Sequence, residues 1–185
     1  MRKLRTYELN RLRPDQYKET EKLSLVVVLD NVRSGNNVGS VFRTCDALLV
    51  RSLYLCGITA TPPSKDIHKT ALNAEETVNW RYFSQTEEAV SELKAEGFTV
   101  LAVEQADKSI MLPDYAPGTG KKLALIFGHE VKGVQQKVID LCDGAIEIPQ
   151  YGTKHSFNVS VSAGIVLWDL FKKIKYLPDD NLPVS

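Results

Sequence analysis

The sequence lacks both a long hydrophobic run and an excess of charge of one sign. Its longest apolar stretch covers residues 23–29, which is far short of the ~20 residues that cross a bilayer. Lysine plus arginine and aspartate plus glutamate each number 23, so the formal net charge is zero. No overall field therefore draws the chain to nucleic acid or to a membrane, and we expect any polyanion to meet a local basic patch.

Cysteine and histidine are scarce, with three of each. Cys45, Cys56 and Cys142 form no CxxC pair and are odd in number, which indicates reduced thiols in the core of a cytoplasmic protein. The histidines show neither an HxxxH nor a His–Cys spacing, so we expect no bound metal. The basic start, residues 1–5, has no apolar stretch behind it, so we expect no signal peptide and no membrane contact.

Strand-like apolar runs alternate with helical patterns along the chain. Strands are expected near residues 25–29, 53–56, 80–83, 98–103, 123–127 and 145–148. Helices are expected near residues 38–49, 66–72, 86–96, 135–142 and 159–176. This alternation predicts an α/β fold with a mostly parallel sheet and helices on both faces.

The 185 residues contain no internal repeat and no low-complexity linker, which favours one domain. Residues 1–22 are polar, with seven Lys/Arg against four acids, and we expect a basic helical extension there. It is either a solvated arm or a flap that contacts phosphates. We expect the folded domain over 23–178 and a C-terminal tail over 179–185. Basic residues concentrate in 1–51, so we expect any polyanion to dock there and to avoid the acidic segment 75–104.

Ligands of parallel sheets bind beyond the carboxyl ends of the strands, so the loops that follow predicted strands should carry the chemistry. The first such loop contains Asn37 at a helix opening, and Arg43 follows one turn into the helix. Free backbone N–H groups and a guanidinium in this arrangement are typical of phosphate binding. The simpler interpretation is a turn in which Asn37 only caps the helix.

Two later loops also carry unusual polar residues. Residues 128–133 read Gly-His-Glu-Val-Lys-Gly, where the glycines allow close backbone approach. Glu130 can accept hydrogen bonds from donors such as Arg43, or can act only as a capping acid. In the third loop Ser156 and Asn158 flank Phe157 ahead of a run of small residues, and either polar residue could cap the last helix.

Together these segments resemble the TrmH/SpoU family of RNA ribose 2′-O-methyltransferases, within the SPOUT superfamily. The resemblance covers residues 24–172 and rests on three motifs in a fixed order. They are NVGSVFRT at 37–44, LIFGHEVKG at 125–133, and the segment 148–161 that begins with IP and ends with SFNVSV.

The resemblance implies a deep trefoil knot in the C-terminal part, whose loops bind S-adenosylmethionine, and a homodimer that shares its RNA site. It implies a catalytic group of polar residues, namely Arg43, Asn37, Glu130, Ser156 and Asn158. It also implies cofactor-binding residues in the knot loops, namely Gly128, Ile148 and Phe157. By similar placement at a strand end, Glu104 is expected beside the cofactor.

The implied reaction is attack of a ribose 2′-hydroxyl on a sulfonium methyl, which requires no metal. Proposals for the family make Arg43 the general base, but we expect it to stay charged, grip a phosphate and stabilise the developing alkoxide. Members that act on large ribosomal RNA often carry an extra N-terminal domain, and residues 1–22 are too short to be one. We therefore expect tRNA as the substrate, with ribosomal RNA as the open alternative. The alternatives are a non-catalytic RNA-binding or assembly factor on the same fold, and a base methyltransferase.

Overall fold

A single parallel sheet forms the centre of the protein. The computed structural model describes residues 1–118 and 120–176. In chain order the strands are β1 (Leu23–Asp30), β2 (Val50–Cys56), β3 (Trp80–Phe83), β4 (Thr99–Val103), β5 (Ile110–Met111), β6 (Leu123–Phe127) and β7 (Gly144–Glu147). They pair in the order β3-β2-β1-β6-β4-β7-β5, and every pair is parallel.

Helices cover both faces of this sheet. They are α1 (Pro14–Glu19), α2 (Gly35–Ala47), α3 (Lys65–Ala71), α4 (Ala74–Thr77), α5 (Thr86–Ala95), α6 (Gln136–Ile139) and α7 (Val159–Tyr176), with short 3₁₀ turns at Thr6–Leu9 and Leu112–Asp114. Leu25, Val27 and Leu29 of β1 point into the core that contains α2 and α7. Val26 and Val28 point into the opposite core, which contains α5 and α6. The period of two along β1 thus buries both faces, as in other parallel sheets, and the predicted α/β architecture is confirmed.

The order of the strands reverses direction beside β1. The chain adds β2 and β3 on one side of β1, whereas β4 lies two positions away on the other side and β6 fills the space between them. Such a reversal of direction opens a crevice at the carboxyl ends of the strands. No helix within the described parts of the chain has both the length and the apolar character needed to cross a membrane.

The helix boundaries differ from the sequence prediction in two places. Helix α2 begins at Gly35 rather than near residue 38, because the Ser34 side chain accepts the N–H of Asn37 (3.3 Å) and caps the helix. Asn37 is therefore inside the first turn and is not the cap. The helix expected over 135–142 is shorter, at Gln136–Ile139.

The sequence predicts a helical extension at the start of the chain and a tail at its end. The segment 1–22 contains the 3₁₀ turn Thr6–Leu9 and the helix α1, whose Tyr17 packs into the core with α2. The tail expected over 179–185 lies outside the described residues, as do the last residues of the domain expected to end at 178.

Candidate active site

A cleft of about 460 Å³ opens at the carboxyl ends of β4, β6 and β7. This volume lies in the range of sites for small organic ligands, roughly 300–1,000 Å³. Residues from three segments line it, at 103–105, 127–134 and 147–162. All four residues predicted to bind a cofactor are among them: Glu104, Gly128, Ile148 and Phe157. Glu130 and Ser156, from the predicted catalytic group, line it as well.

Residues 128–134 form one wall of the cleft, which we call the cleft wall. His129 and Gly133 exchange two main-chain hydrogen bonds, at 3.0 and 2.8 Å, so the chain turns tightly between them. A Cβ added at Gly128 would lie 2.1 Å from the Gly133 carbonyl carbon, so only glycine fits at position 128. Glu104 fixes the far end of the wall, because its Oε2 accepts the N–H of Val134 at 2.9 Å.

Glu130 joins the cleft wall to the loop that follows β1. Its carboxylate accepts the N–H groups of Arg33 (3.2 Å) and Ser34 (2.9 Å) and the Nδ2 group of Asn37 (3.1 Å). Partial burial opposes ionisation, but the N–H of Ser34, its own N–H, that of Arg33 and the Asn37 amide together lower the pKa of Glu130 below its usual value. Glu130 is therefore an anchored anion at neutral pH.

Asn37 and Asn158 continue this network to the third motif. The Asn158 Nδ2 group donates to Asn37 Oδ1 at 3.1 Å. The Asn158 Oδ1 atom accepts the N–H of Ser160 at 2.9 Å and so caps the start of α7. A continuous path of hydrogen bonds therefore runs from Glu130 through Asn37 to Asn158, and it joins all three sequence motifs.

Arg43 is not part of this network. It is the ninth residue of α2, about 12 Å along the axis from the start of the helix at 1.5 Å per residue. It is exposed and does not line the cleft, and its side chain makes no hydrogen bond or ion pair within residues 1–118 and 120–176. The expectations that Arg43 lies one turn into the helix and can donate to Glu130 are wrong, because α2 begins earlier than predicted and the donors to Glu130 come from residues 33–37.

Several residues at the cleft were missed from the sequence. Gln105 Nε2 donates to the main-chain oxygen of His155 at 2.9 Å, which ties the loop after β4 to the third loop. Glu147 lines the cleft and accepts the Ser109 hydroxyl at 2.7 Å. Glu147 ends β7 and Gln105 lies just past the end of β4, so the expected ligand edge of the sheet is the signal that points to both.

Three exposed cations surround the cleft, and we call Arg33, Lys132 and Lys154 the basic rim. Lys132 lines the cleft, Lys154 precedes the lining residue His155, and the N–H of Arg33 binds Glu130. Across the part of the chain that the structure describes, no carboxylate pairs with these three side chains. In the N-terminal segment Arg2 pairs with Glu8 and Arg13 with Asp15. The charges of the rim lie beside the cleft without a carboxylate partner, so they can meet an anion there.

Strand order, cleft and polar network define an α/β protein that binds a ligand at the carboxyl edge of a parallel sheet. The model of the SpoU rRNA methylase family matches residues 24–168, most of the chain. The chain belongs to this family, and the membership predicted from the three motifs is confirmed.

Individual relatives agree with this assignment. The tRNA (guanosine(18)-2′-O)-methyltransferase of Thermus thermophilus is 32% identical over 164 residues, which are 88% of this chain and 81% of the relative. The crystal structure of the A. aeolicus TrmH/SpoU tRNA modifying enzyme superposes with a TM-score of 0.74 at 27% identity, over 85% of this chain and 78% of that one. The AdoMet-bound rRNA methyltransferase of Sinorhizobium meliloti has a TM-score of 0.75 over 85% of this chain and 59% of its own, and at 24% identity it shows the fold alone.

Proposed function

We propose that the protein is an S-adenosylmethionine-dependent methyltransferase that methylates a ribose 2′-hydroxyl in RNA, with tRNA as the favoured substrate. The observation that carries the proposal is the hydrogen-bonded path Glu130–Asn37–Asn158 beside the cleft. A binding module has no need to link three loops around a small-molecule cleft in this way. The Thermus relative, named for tRNA, supports tRNA over ribosomal RNA.

The cleft fits S-adenosylmethionine in size and chemistry. Glu104, Glu130 and Glu147 place carboxylates on its lining, which suits a ligand that carries a sulfonium and an ammonium group. Gly128, Ile148 and Phe157 would hold the cofactor, with the close main chain at Gly128 on one side. When bound, the cofactor supplies an activated methyl group, so the transfer itself requires no metal.

Arg43 acts on the RNA rather than on the cofactor. Its guanidinium stays protonated at any working pH, so it serves as a fixed positive charge. It grips the phosphate next to the target ribose and stabilises negative charge on the 2′-oxygen, while a phosphate oxygen or a water takes the proton. Because Arg43 is exposed and does not line the cleft of its own chain, the arginine that serves each cleft comes from a second copy.

An exposed stripe on α7 supports a homodimer. Val161, Gly164, Ile165 and Trp168 follow the spacing of one helix face, and Val161 and Trp168 are 49% and 56% exposed. A Cβ added at Gly164 would meet nothing within 4 Å, so the small residue is not explained by packing within this chain. A second copy of α7 fits this open, apolar face. The two clefts and two arginines then lie in one assembly.

The remaining features of the domain are also proposed. Residues 23–178 form the methyltransferase domain, with 1–22 as its extension, and the part that follows β6 threads as a deep trefoil knot. The insertion of β6 between β1 and β4 and the return of α7 onto α2 support the knot. The basic rim supports contact with RNA phosphates. A tRNA substrate supports the proposed cytoplasmic location.

Methyl transfer to defined RNAs tests the proposal. The protein is incubated with labelled S-adenosylmethionine and transcripts of tRNA or ribosomal RNA, and the modified ribose is mapped by mass spectrometry. Arg43→Ala should lose at least ~100-fold in turnover, the scale of one lost electrostatic donor. Arg43→Lys should keep part of the activity, since a point charge remains.

Arg51→Ala is the matched control, because Arg51 is also exposed but lies near the amino end of β2, away from the cleft. Near-normal turnover by Arg43→Ala contradicts the role of Arg43. Binding of cofactor and RNA without transfer to any RNA favours the non-catalytic factor.

A further inference from the structure

Asp30, the last residue of β1, is fully buried and has no part in the machinery described above. Its Oδ1 atom accepts the Asn31 amide (2.8 Å), the Thr86 hydroxyl (2.6 Å) and the Gln135 side-chain amide (2.9 Å). Its Oδ2 atom accepts the main-chain N–H of Gln135 at 3.1 Å. Among the described residues no Lys, Arg or His forms an ion pair with it.

A buried carboxylate without a cation is stable only while its hydrogen-bond donors stay in place. The donors to Asp30 come from three parts of the fold: the end of β1, the first residue of α5 (Thr86), and Gln135, which directly follows the cleft wall. Asp30 therefore locks these parts together. Its most numerous bonds, two of the four, go to Gln135.

Carboxylates hold the cleft wall near its start and at its end. Near its start, Glu130 binds the main chain of Arg33 and Ser34. At its end, consecutive N–H groups bind two different strand ends, Val134 to Glu104 and Gln135 to Asp30. Of the three carboxylates, Asp30 is the one that does not line the cleft.

We infer that Asp30 is a positioning residue for cofactor binding, which holds Gln135 so that residues 128–134 keep the shape that receives S-adenosylmethionine. The inference rests on the proposed function, since it takes S-adenosylmethionine as the ligand of the cleft. Asp30 touches neither substrate nor cofactor, and acts through the cleft wall alone.

The role requires a carboxylate. An asparagine at position 30 has one acceptor oxygen in place of two, and its Nδ2 group would face a donor. Asp30→Asn therefore breaks at least one of the hydrogen bonds from Gln135, Asn31 or Thr86, although the side chain keeps nearly the same size and shape. Thr86→Val is the matched control, because it removes the donor on the α5 side and leaves both bonds to Gln135.

Calorimetric titration with S-adenosylmethionine, at a temperature where circular dichroism shows all variants folded, tests the inference. Asp30→Asn should weaken cofactor binding by at least about tenfold, the effect of a donor left unpaired. Thr86→Val should lower the melting temperature but leave the Kd within about twofold. A Kd for Asp30→Asn no weaker than that of Thr86→Val overturns the positioning role.

Amide hydrogen exchange on the cofactor-free protein gives a second readout. In Asp30→Asn the amides of Val134 and Gln135 should exchange faster than in the wild type, while that of Leu125 in β6 stays protected. Unchanged exchange at both positions also overturns the role.

If Asp30→Asn does not fold, Gln135→Ala replaces it, because this variant loses only the side-chain bond to Asp30. It should weaken cofactor binding about threefold to tenfold, and an unchanged Kd overturns the role. A wild-type protein that binds no S-adenosylmethionine contradicts the proposed function instead. A wild type that binds, with variants that bind equally well, contradicts the role of Asp30 alone.

Discussion

Glu130 is the residue at which the second motif meets the first. Three donors from residues 33–37 surround its carboxylate, two of them main-chain N–H groups. The main-chain N–H groups of Arg33 and Ser34 remain when their side chains are changed to any residue except proline. These two hydrogen bonds therefore depend on the side chain of Glu130. The carboxylate of Glu130 therefore links the cleft wall to the start of α2.

Replacement of Glu130 by glutamine should make the protein less stable in a pH-dependent way. The pKa of Glu130 is lowered in the folded state, so its ionised form stabilises the fold above its usual pKa of 4.5. Glu130→Gln should cost about 1 kcal/mol at pH 7. The difference from the wild type should shrink as the pH falls below 4.5 and through the lowered pKa.

Urea denaturation at a series of pH values measures this difference. Glu76→Gln is the control, because Glu76 is exposed and makes no side-chain hydrogen bond or ion pair with the described residues. A difference between Glu130→Gln and wild type that does not change with pH would contradict the anchored anion.

At the residue scale, the sequence identified the members of the site better than their partners. Asn37, Glu130 and Asn158 were found by motif and lie in one network. The expectation that Arg43 donates to Glu130 was wrong. Ser34 rather than Asn37 caps α2, so the helix begins at Gly35 and Arg43 lies more than two turns from its start. Ser34 and Asn37 are both good caps, and only tertiary contact with Glu130 separates them.

At the scale of elements, the cleft wall is a turn that depends on one close contact. The main chain at Gly133 and Val134 passes so near Gly128 that a Cβ there would lie 2.1 Å away. Both neighbours are backbone atoms and cannot rotate aside. This turn can therefore form only with glycine at position 128.

Gly128→Ala should force the cleft wall outward. We expect a loss of about 1–3 kcal/mol in the free energy of unfolding, as in other overpacked sites, and cofactor affinity at least about tenfold weaker. Gly152→Ala should change neither quantity, because a Cβ at Gly152 meets nothing within 4 Å. Chemical denaturation and calorimetric titration of both variants measure the effects. Tight cofactor binding by Gly128→Ala would show that the wall does not contribute to the site.

Several elements lie at the bounds that the sequence predicts, including the four-residue β3 at Trp80–Phe83. Helix α7 was expected over 159–176 and occupies those residues, and β6 matches its apolar run. β5 has two residues and α4 has four, so neither spans enough residues to show a periodic pattern. Their positions depend on pairing with β7 and on packing beside α2, which are long-range contacts.

At the scale of the whole molecule, α7 has two different faces. One face is buried against the sheet through Ala163, Val166, Leu167 and Leu170. The other carries Val161 and Trp168, exposed in a single chain. A helix that is apolar on both sides needs a second partner.

Trp168→Asp should convert the proposed homodimer to a monomer. A charge at the centre of an apolar interface is costly to bury, so association should weaken by at least about 100-fold. Size-exclusion chromatography with light scattering should then give the mass of one chain, and methyl transfer should fall because Arg43 no longer reaches a second cleft.

Ile58→Asp is the control, because Ile58 is 63% exposed and follows β2, away from α7. A wild type that is monomeric, or a Trp168→Asp variant that stays dimeric and active, would contradict the shared site.

The order of the strands was not readable from the sequence. Alternation of strands and helices predicts parallel pairing, but it does not say which strands are neighbours. The strands β1, β2, β4 and β6 are all largely apolar and buried, so each of them would suit several positions in the sheet. The place of β6 between β1 and β4 is decided by the whole set of contacts.

That place has a consequence for synthesis on the ribosome. While the chain is still shorter than 123 residues, β1, β2 and β3 can pair with one another, but β4 has no partner, because both of its neighbours, β6 and β7, come later in the chain. The nascent protein must keep the open edge of β1 and both edges of β4 apart from other chains until residues 123–127 have left the exit tunnel. Completion of the sheet therefore waits for residues 123–127, and translation speed there should influence how much of the protein reaches its native state.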